Sequence, residues 1–103
     1  MTAGWMQLKL LEALHDVLDP ETGVNLVDLG LIYAVEFEPA DGSVQVHMTL
    51  TTPACPAGGV MVEGVERRLS QFPEVRSVAV SVVFEPRWTP ELITEEGRAA
   101  LGW

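Results

Sequence analysis

The sequence predicts an α+β fold in two layers, with element order α-β-β-α-β and a small mixed three-stranded sheet carrying its helices on one face. Three observations predict it. Apolar residues recur at helical spacing in two separate stretches. Between them lie two runs of two-residue alternation, joined by the hairpin signal Asp41-Gly42. A third alternating run follows the second helix, and a strand–helix–strand succession implies parallel pairing with a right-handed crossover.

The first helix is expected within residues 1–18, with its periodic part over 5–18. Leu10, Leu11, Leu14, Val17 and Leu18 form the stripe, and Lys9, Glu12 and Asp16 fall mostly elsewhere. His15 lies beside the stripe and reads as a surface or hydrogen-bonded histidine before it reads as a metal ligand. Asp19-Pro20 ends the helix, because the residue before a proline avoids the α region. Residues 21–30 read as an unusually apolar loop, with Val24, Leu26, Val27 and Leu29 expected to tuck under the domain. Asp19, Glu21 and Asp28 gather here. Turn chemistry, in which Asp and Asn bond nearby backbone, accounts for them most simply. A carboxylate surface close to Cys55 is the sharper alternative.

The hairpin is expected over 31–51, with strands 31–38 and 44–51. Val44, Val46, Met48 and Leu50 face one way; Gln45, His47, Thr49 and Thr51 face the other. The second helix is expected over 57–72, with a core stripe of Met61, Val65, Leu69 and Phe72 and with Glu63, Glu66, Arg67 and Arg68 toward solvent. Gly58 and Gly59 weaken its first turn and leave room for another backbone, subunit or ligand. Pro73 stops it. The third strand is expected over 75–85, where Val78, Val80, Val82 and Phe84 alternate with polar or small residues. The tail, 88–103, has Thr89 before Pro90 as one helix start and Thr94 as a second cap, with Trp88 and Trp103 as packing anchors. The second face of so small a sheet is left open, and a homodimer is the natural way to cover it.

Whole-chain properties narrow the functional classes. The 103 residues suit one domain over 1–103. A net charge of −9, from 15 acidic and 6 basic residues, argues against nucleic acid and against an anionic membrane surface. No apolar run approaches the roughly 20 residues that span a bilayer. No basic region followed by an apolar core marks a signal peptide. A single cysteine cannot build an internal disulfide, which fits a reducing, cytoplasmic setting.

That cysteine, Cys55, falls where the second strand gives way to the second helix. Pro56 follows, and proline suits the first helical position, which places Cys55 at or near the N-cap. Unpaired N–H groups and the helix dipole favour a thiolate there, and Thr51 and Thr52 supply hydroxyls nearby. A small buried hydrophobe satisfies the same local pattern equally well. His47 lies eight residues earlier, so a His47–Cys55 dyad needs the chain to fold back. The sequence has no dinucleotide or phosphate-binding glycine loop, no nucleophile elbow and no paired cysteines for zinc. One cysteine cannot hold an iron–sulfur cluster alone.

Four blocks in order carry a family resemblance: Asp19-Pro20-Glu21; Asn25-Leu26-Val27-Asp28-Leu29-Gly30-Leu31-Ile32-Tyr33; Met48-Thr49-Leu50-Thr51-Thr52-Pro53-Ala54-Cys55-Pro56; and Trp88-Thr89-Pro90 with Ile93. The chain resembles the SufT/PaaD-like family of iron–sulfur cluster assembly factors, and its element order agrees with the fold that resemblance implies. The resemblance implies an accessory, non-enzymatic role in maturing or repairing iron–sulfur proteins. Cys55 would contact iron, cluster or client, supported by Thr51, Thr52, Asp19, Glu21 and Asp28. The implied cargo is transient iron or a cluster shared between subunits, and the implied partners are assembly machinery or client apoproteins. PaaD-type members add a cysteine-rich tail that this sequence lacks, so the stand-alone SufT kind fits better. Two rival readings are a metal-free adaptor that binds proteins through its sheet face and tail, and a thiol enzyme with Cys55 as nucleophile.

Overall fold

The computed structural model describes residues 3–51 and 57–103. The chain runs through α1 (Ala3–Ala13), β1 (Ile32–Glu38), β2 (Ser43–Met48), α2 (Gly58–Leu69), β3 (Ser77–Val82) and α3 (Glu95–Leu101), with single 3-10 turns at Leu14–Asp16 and Pro90–Leu92. The sheet order is β1-β2-β3. β1 and β2 are antiparallel, and β2 and β3 are parallel. This is the expected mixed α+β sheet, with a third helix built from the tail.

Strand alternation sorts the side chains. Val35 pairs with Val46 and Phe37 with Val44; Val44 pairs with Val78 and Val46 with Val80. These residues face the helices, where Met6, Leu10 and Leu14 meet Met61, Val65 and Leu69 in one core. Leu10, Leu14, Leu26, Leu31 and Leu69 are completely buried, and each such side chain contributes roughly 1.5–3 kcal/mol. The opposite face carries Ala34, Glu36, Gln45, His47, Ala79 and Ser81. Gln45 Nε2 donates to Ser81 Oγ across it at 3.0 Å. At the hairpin turn, the hydroxyl and N–H of Ser43 hold the Asp41 carboxyl below its ordinary range.

Several boundaries differ from the sequence expectation for identifiable reasons. α1 ends at Ala13, and the chain leaves the helical path through Leu14–Asp16. Val17, at φ −98° and ψ 116°, is already extended. Residues 17–19 then pair with 24–26: Leu26 donates to Val17 at 3.0 Å and Asp19 to Val24 at 2.9 Å. Leu18 therefore points to solvent, and Met6 takes its place in the buried stripe. β2 stops at Met48. Thr49, expected beside His47 on the polar face, is instead completely buried, with its N–H donating to Leu31 O at 2.8 Å. Trp103 is exposed rather than packed, whereas Trp88 packs against the core.

Candidate functional site

The chain around the signature cysteine is bracketed by two fixed ends. On one side, Leu50 is buried and Thr51 exposed. On the other, Ala57 is buried and is the N-cap of α2, at φ −86° and ψ −1° with no side-chain cap. The helix thus starts at Gly58, one residue later than the expected start at 57, and the expectation that sets Pro56 and Cys55 at its start falls on residues outside those described. Cys55 and Thr52 themselves lie outside the described residues. Met61 donates to Ala57 O at 3.0 Å, which leaves the N–H groups of Gly58, Gly59 and Val60 without an intrahelical acceptor. No acidic side chain occupies this first turn, so the positive end of the α2 dipole is uncompensated from within the helix. Gly58 sits against Leu50: a Cβ there would lie 3.0 Å from Leu50 Cδ1. Gly59 has open space beside it.

The carboxylates of the loop are engaged in building it. Asp19 is buried; its Oδ1 accepts from the Glu21 N–H at 2.9 Å and its carbonyl accepts from the Gly23 N–H at 2.8 Å. Glu21 is exposed at this turn. Asp28 and Asn25 close a reciprocal pair: the Asp28 N–H donates to Asn25 Oδ1 at 2.9 Å, and Asn25 Nδ2 donates to Asp28 Oδ2 at 2.8 Å. His15 Nδ1 lies 3.0 Å from Glu12 O, and its Nε2 lies 3.9 Å from Asp28 Oδ1. His47 stands on the open sheet face, with Ala34 and Ser81 as lateral neighbours. Among the described residues, no three of His, Cys, Asp and Glu converge as metal ligands would.

Two of the quoted sequence blocks turn out to be neighbours in space, which spacing alone did not reveal. The tail returns to the 25–31 loop. Trp88 Nε1 donates to Leu29 O at 2.8 Å. Thr94 Oγ1 donates to Asp28 Oδ1 at 3.0 Å, and its N–H donates to Asp28 O at 2.8 Å. The same Thr94 Oγ1 accepts from the Gly97 N–H and caps α3. Thr89 precedes the Pro90–Leu92 turn with no side-chain cap bond. Trp88→Phe removes one partly buried hydrogen bond and keeps most of the apolar contact. It should cost about 1 kcal/mol in chemical denaturation, with an unchanged circular dichroism spectrum.

A mixed three-stranded sheet under helices, with its tail hydrogen-bonded back to the 25–31 loop, places the chain in the class of small two-layer α+β domains. The chain is, more narrowly, a member of the iron–sulfur cluster assembly protein family, whose match runs over residues 8–82. It is 39% identical over 93 residues to the Fe-S protein maturation auxiliary factor YitW of Bacillus subtilis, covering 90% of each chain. It is 37% identical over 86 residues to the Fe-S protein maturation auxiliary factor SufT of Staphylococcus aureus, covering 84% of this chain and 97% of that one. Its fold matches the crystal structure of a domain of unknown function, DUF59, from Bacillus anthracis. The TM-score is 0.92 at 36% identity, over 97% of this chain and 94% of that one. No helix among the described residues is long and apolar enough to cross a membrane.

Proposed function

We propose that the protein is an accessory factor in iron–sulfur cluster assembly or protein maturation, acting as a cytoplasmic homodimer rather than as an enzyme. The observation that carries this reading is the family match, which runs unbroken from α1 to the end of β3. Cys55 is the residue proposed to contact iron, a cluster or a client apoprotein, with Thr51 and Thr52 as hydroxyl donors beside it. The N-terminus of α2, which has no acidic residue in its first turn and starts three residues after Cys55 in the sequence, supports this, because such a terminus favours a thiolate. Asp19 and Asp28 support the site by shaping the loop, with Glu21 as a carboxylate at the same turn. The cluster is cargo, held transiently and shared between two subunits, since one thiol per chain cannot complete a cluster's ligand set.

The test is anaerobic reconstitution of wild type and Cys55→Ser with ferrous iron and sulfide, reading visible absorption and iron per chain. Wild type is expected to retain iron. The variant should lose most of it, keep the wild-type circular dichroism spectrum and fail to support activation of an apo-client. Equal iron and equal client activation in both proteins would sink the role given to Cys55. No iron in either, with client activation intact in both, would instead mean a metal-free adaptor.

A further inference from the structure

β1 and β3 are the two edges of the sheet, and they are finished differently. β1 carries Glu36 and Glu38, its register shifts between Ile32 and Ala34, and Gln7 Nε2 reaches from α1 to Val35 O at 2.7 Å. Charges, irregular register and covering side chains are what keep an edge from pairing. Among the described residues, β3 has none of them. Residues 77–84 read Ser-Val-Ala-Val-Ser-Val-Val-Phe, with no charge, proline or glycine. Among the described elements, β3 touches only β2 and α2.

Which main-chain groups face outward follows from two bonds to β2 and its turn. Ser77 N–H donates to Gly42 O at 3.4 Å, and Val83 N–H donates to Met48 O at 2.8 Å. In an extended strand the N–H and C=O of one residue point to the same side, and those of the next to the other. Ser77, Ala79, Ser81 and Val83 therefore bond toward β2. Val78, Val80 and Val82 present their N–H and C=O groups to the free edge.

We propose that this edge is the dimer interface: β3 of a second copy pairs with it antiparallel, about a two-fold axis at Val80. In that register Val80 faces Val80 of the partner subunit, and Val78 faces Val82 of the partner subunit. Every outward N–H and C=O of these residues then finds a partner. The contact is isologous, as a two-fold interface must be. Side-chain faces also agree, with valines meeting on the helix side and Ala79 meeting Ser81 on the other. Exposed Val82 and Phe84 gain cover. Charge bears on which edge two copies can share. Two chains of −9 repel over most approaches, and a β1–β1 contact would bring Glu36 and Glu38 together. The β3 edge is uncharged. This inference rests on the homodimer reading above and gives it a geometry.

Val82→Pro is the direct test. Proline is tolerated on an edge strand where its N–H would face outward, so the bonds to β2 survive while the symmetric pairing loses two hydrogen bonds. Sedimentation equilibrium of the full chain should show a dimer for wild type and a dissociation constant raised about 30-fold or more in the variant. A second measurement covers the case of a misfolded variant. In a Cys55→Ser background, Ala79→Cys and Ser81→Cys chains are mixed under mild oxidant. These positions oppose one another at the short spacing that a disulfide spans, so a disulfide-linked heterodimer should accumulate. A dimer that persists in Val82→Pro, or a mixture that gives no linked heterodimer, overturns the β3 edge and leaves the homodimer reading standing. A wild type that is monomeric at every concentration overturns both and does not touch the role of Cys55, which the iron measurement decides separately.

Discussion

Gly30→Ala should release the C-terminal segment from its loop and cost about 3 kcal/mol. Gly30 has φ +77°, a conformation that costs an L-residue roughly 1–2 kcal/mol. A Cβ there would also lie 2.5 Å from Leu92 O and 2.7 Å from Leu92 Cβ. Neither neighbour is a flexible side-chain tip, so the strain cannot be relieved by a rotamer change. The inexpensive relief is detachment of residues 86–103, which forfeits the Trp88–Leu29 and Thr94–Asp28 hydrogen bonds. At 4–8 °C per kcal/mol for a domain of this size, Tm should fall by roughly 10–20 °C. Fluorescence identifies the mechanism. Trp5 and Trp103 are already exposed, so a red shift reports Trp88 leaving its site. Gly59→Ala is the control. It meets no atom within 4 Å and lies in a helix, so it should be neutral or stabilising by about 0.5–1 kcal/mol. A Gly30→Ala protein with wild-type Tm and emission would mean the tail is not clamped there.

The parts legible in the sequence are those governed by backbone period. Val44, Val46 and Met48, then Val78, Val80 and Val82, announce two strands by alternation alone. The stripe Met61, Val65 and Leu69 announces α2. The parts that were not legible depend on a partner distant in sequence. Leu18 keeps helical phase with Leu11 and Leu14, yet the helix has ended, because residues 17–19 pair with a strand-like stretch on the far side of Pro20. Thr49 is polar by type and buried by position, because the carbonyl of Leu31 claims its N–H. The expected start at Ala57 was one residue early, because Ala57 is the N-cap and α2 begins at Gly58, which rests on Leu50.

The acidic residues divide in the same way. Asp19 is legible, since an Asp bonding the N–H two residues on is local turn chemistry, and that is what Asp19 does. Half of Asp28's role is local too, through Asn25 three residues earlier. The other half is Thr94, 66 residues away. No local pattern could join these two. The only sequence signal was that both lie in or beside blocks quoted for the resemblance, and such blocks do not say whether they share chemistry or merely touch.

Asp28→Ala separates those possibilities, and it should cost about 3 kcal/mol. The substitution strips a partly buried acceptor from Asn25 Nδ2 and from Thr94 Oγ1, and hydrogen bonds to a charged group are worth roughly 1.5–3 kcal/mol each. Thr94→Ala should cost about 1–2 kcal/mol, because it also removes the α3 cap. The double variant should lose less than the sum, with a coupling of about 1 kcal/mol or more. Strict additivity would show that the two side chains do not act together. Iron retention then distinguishes a loop-building role from ligation. Below its transition temperature, folded Asp28→Ala should hold as much iron per chain as wild type, whereas Cys55→Ser should lose iron with Tm unchanged. Those opposite signatures assign Asp28 to the scaffold and Cys55 to the chemistry. Iron lost from fully folded Asp28→Ala would move the carboxylate into the binding site itself.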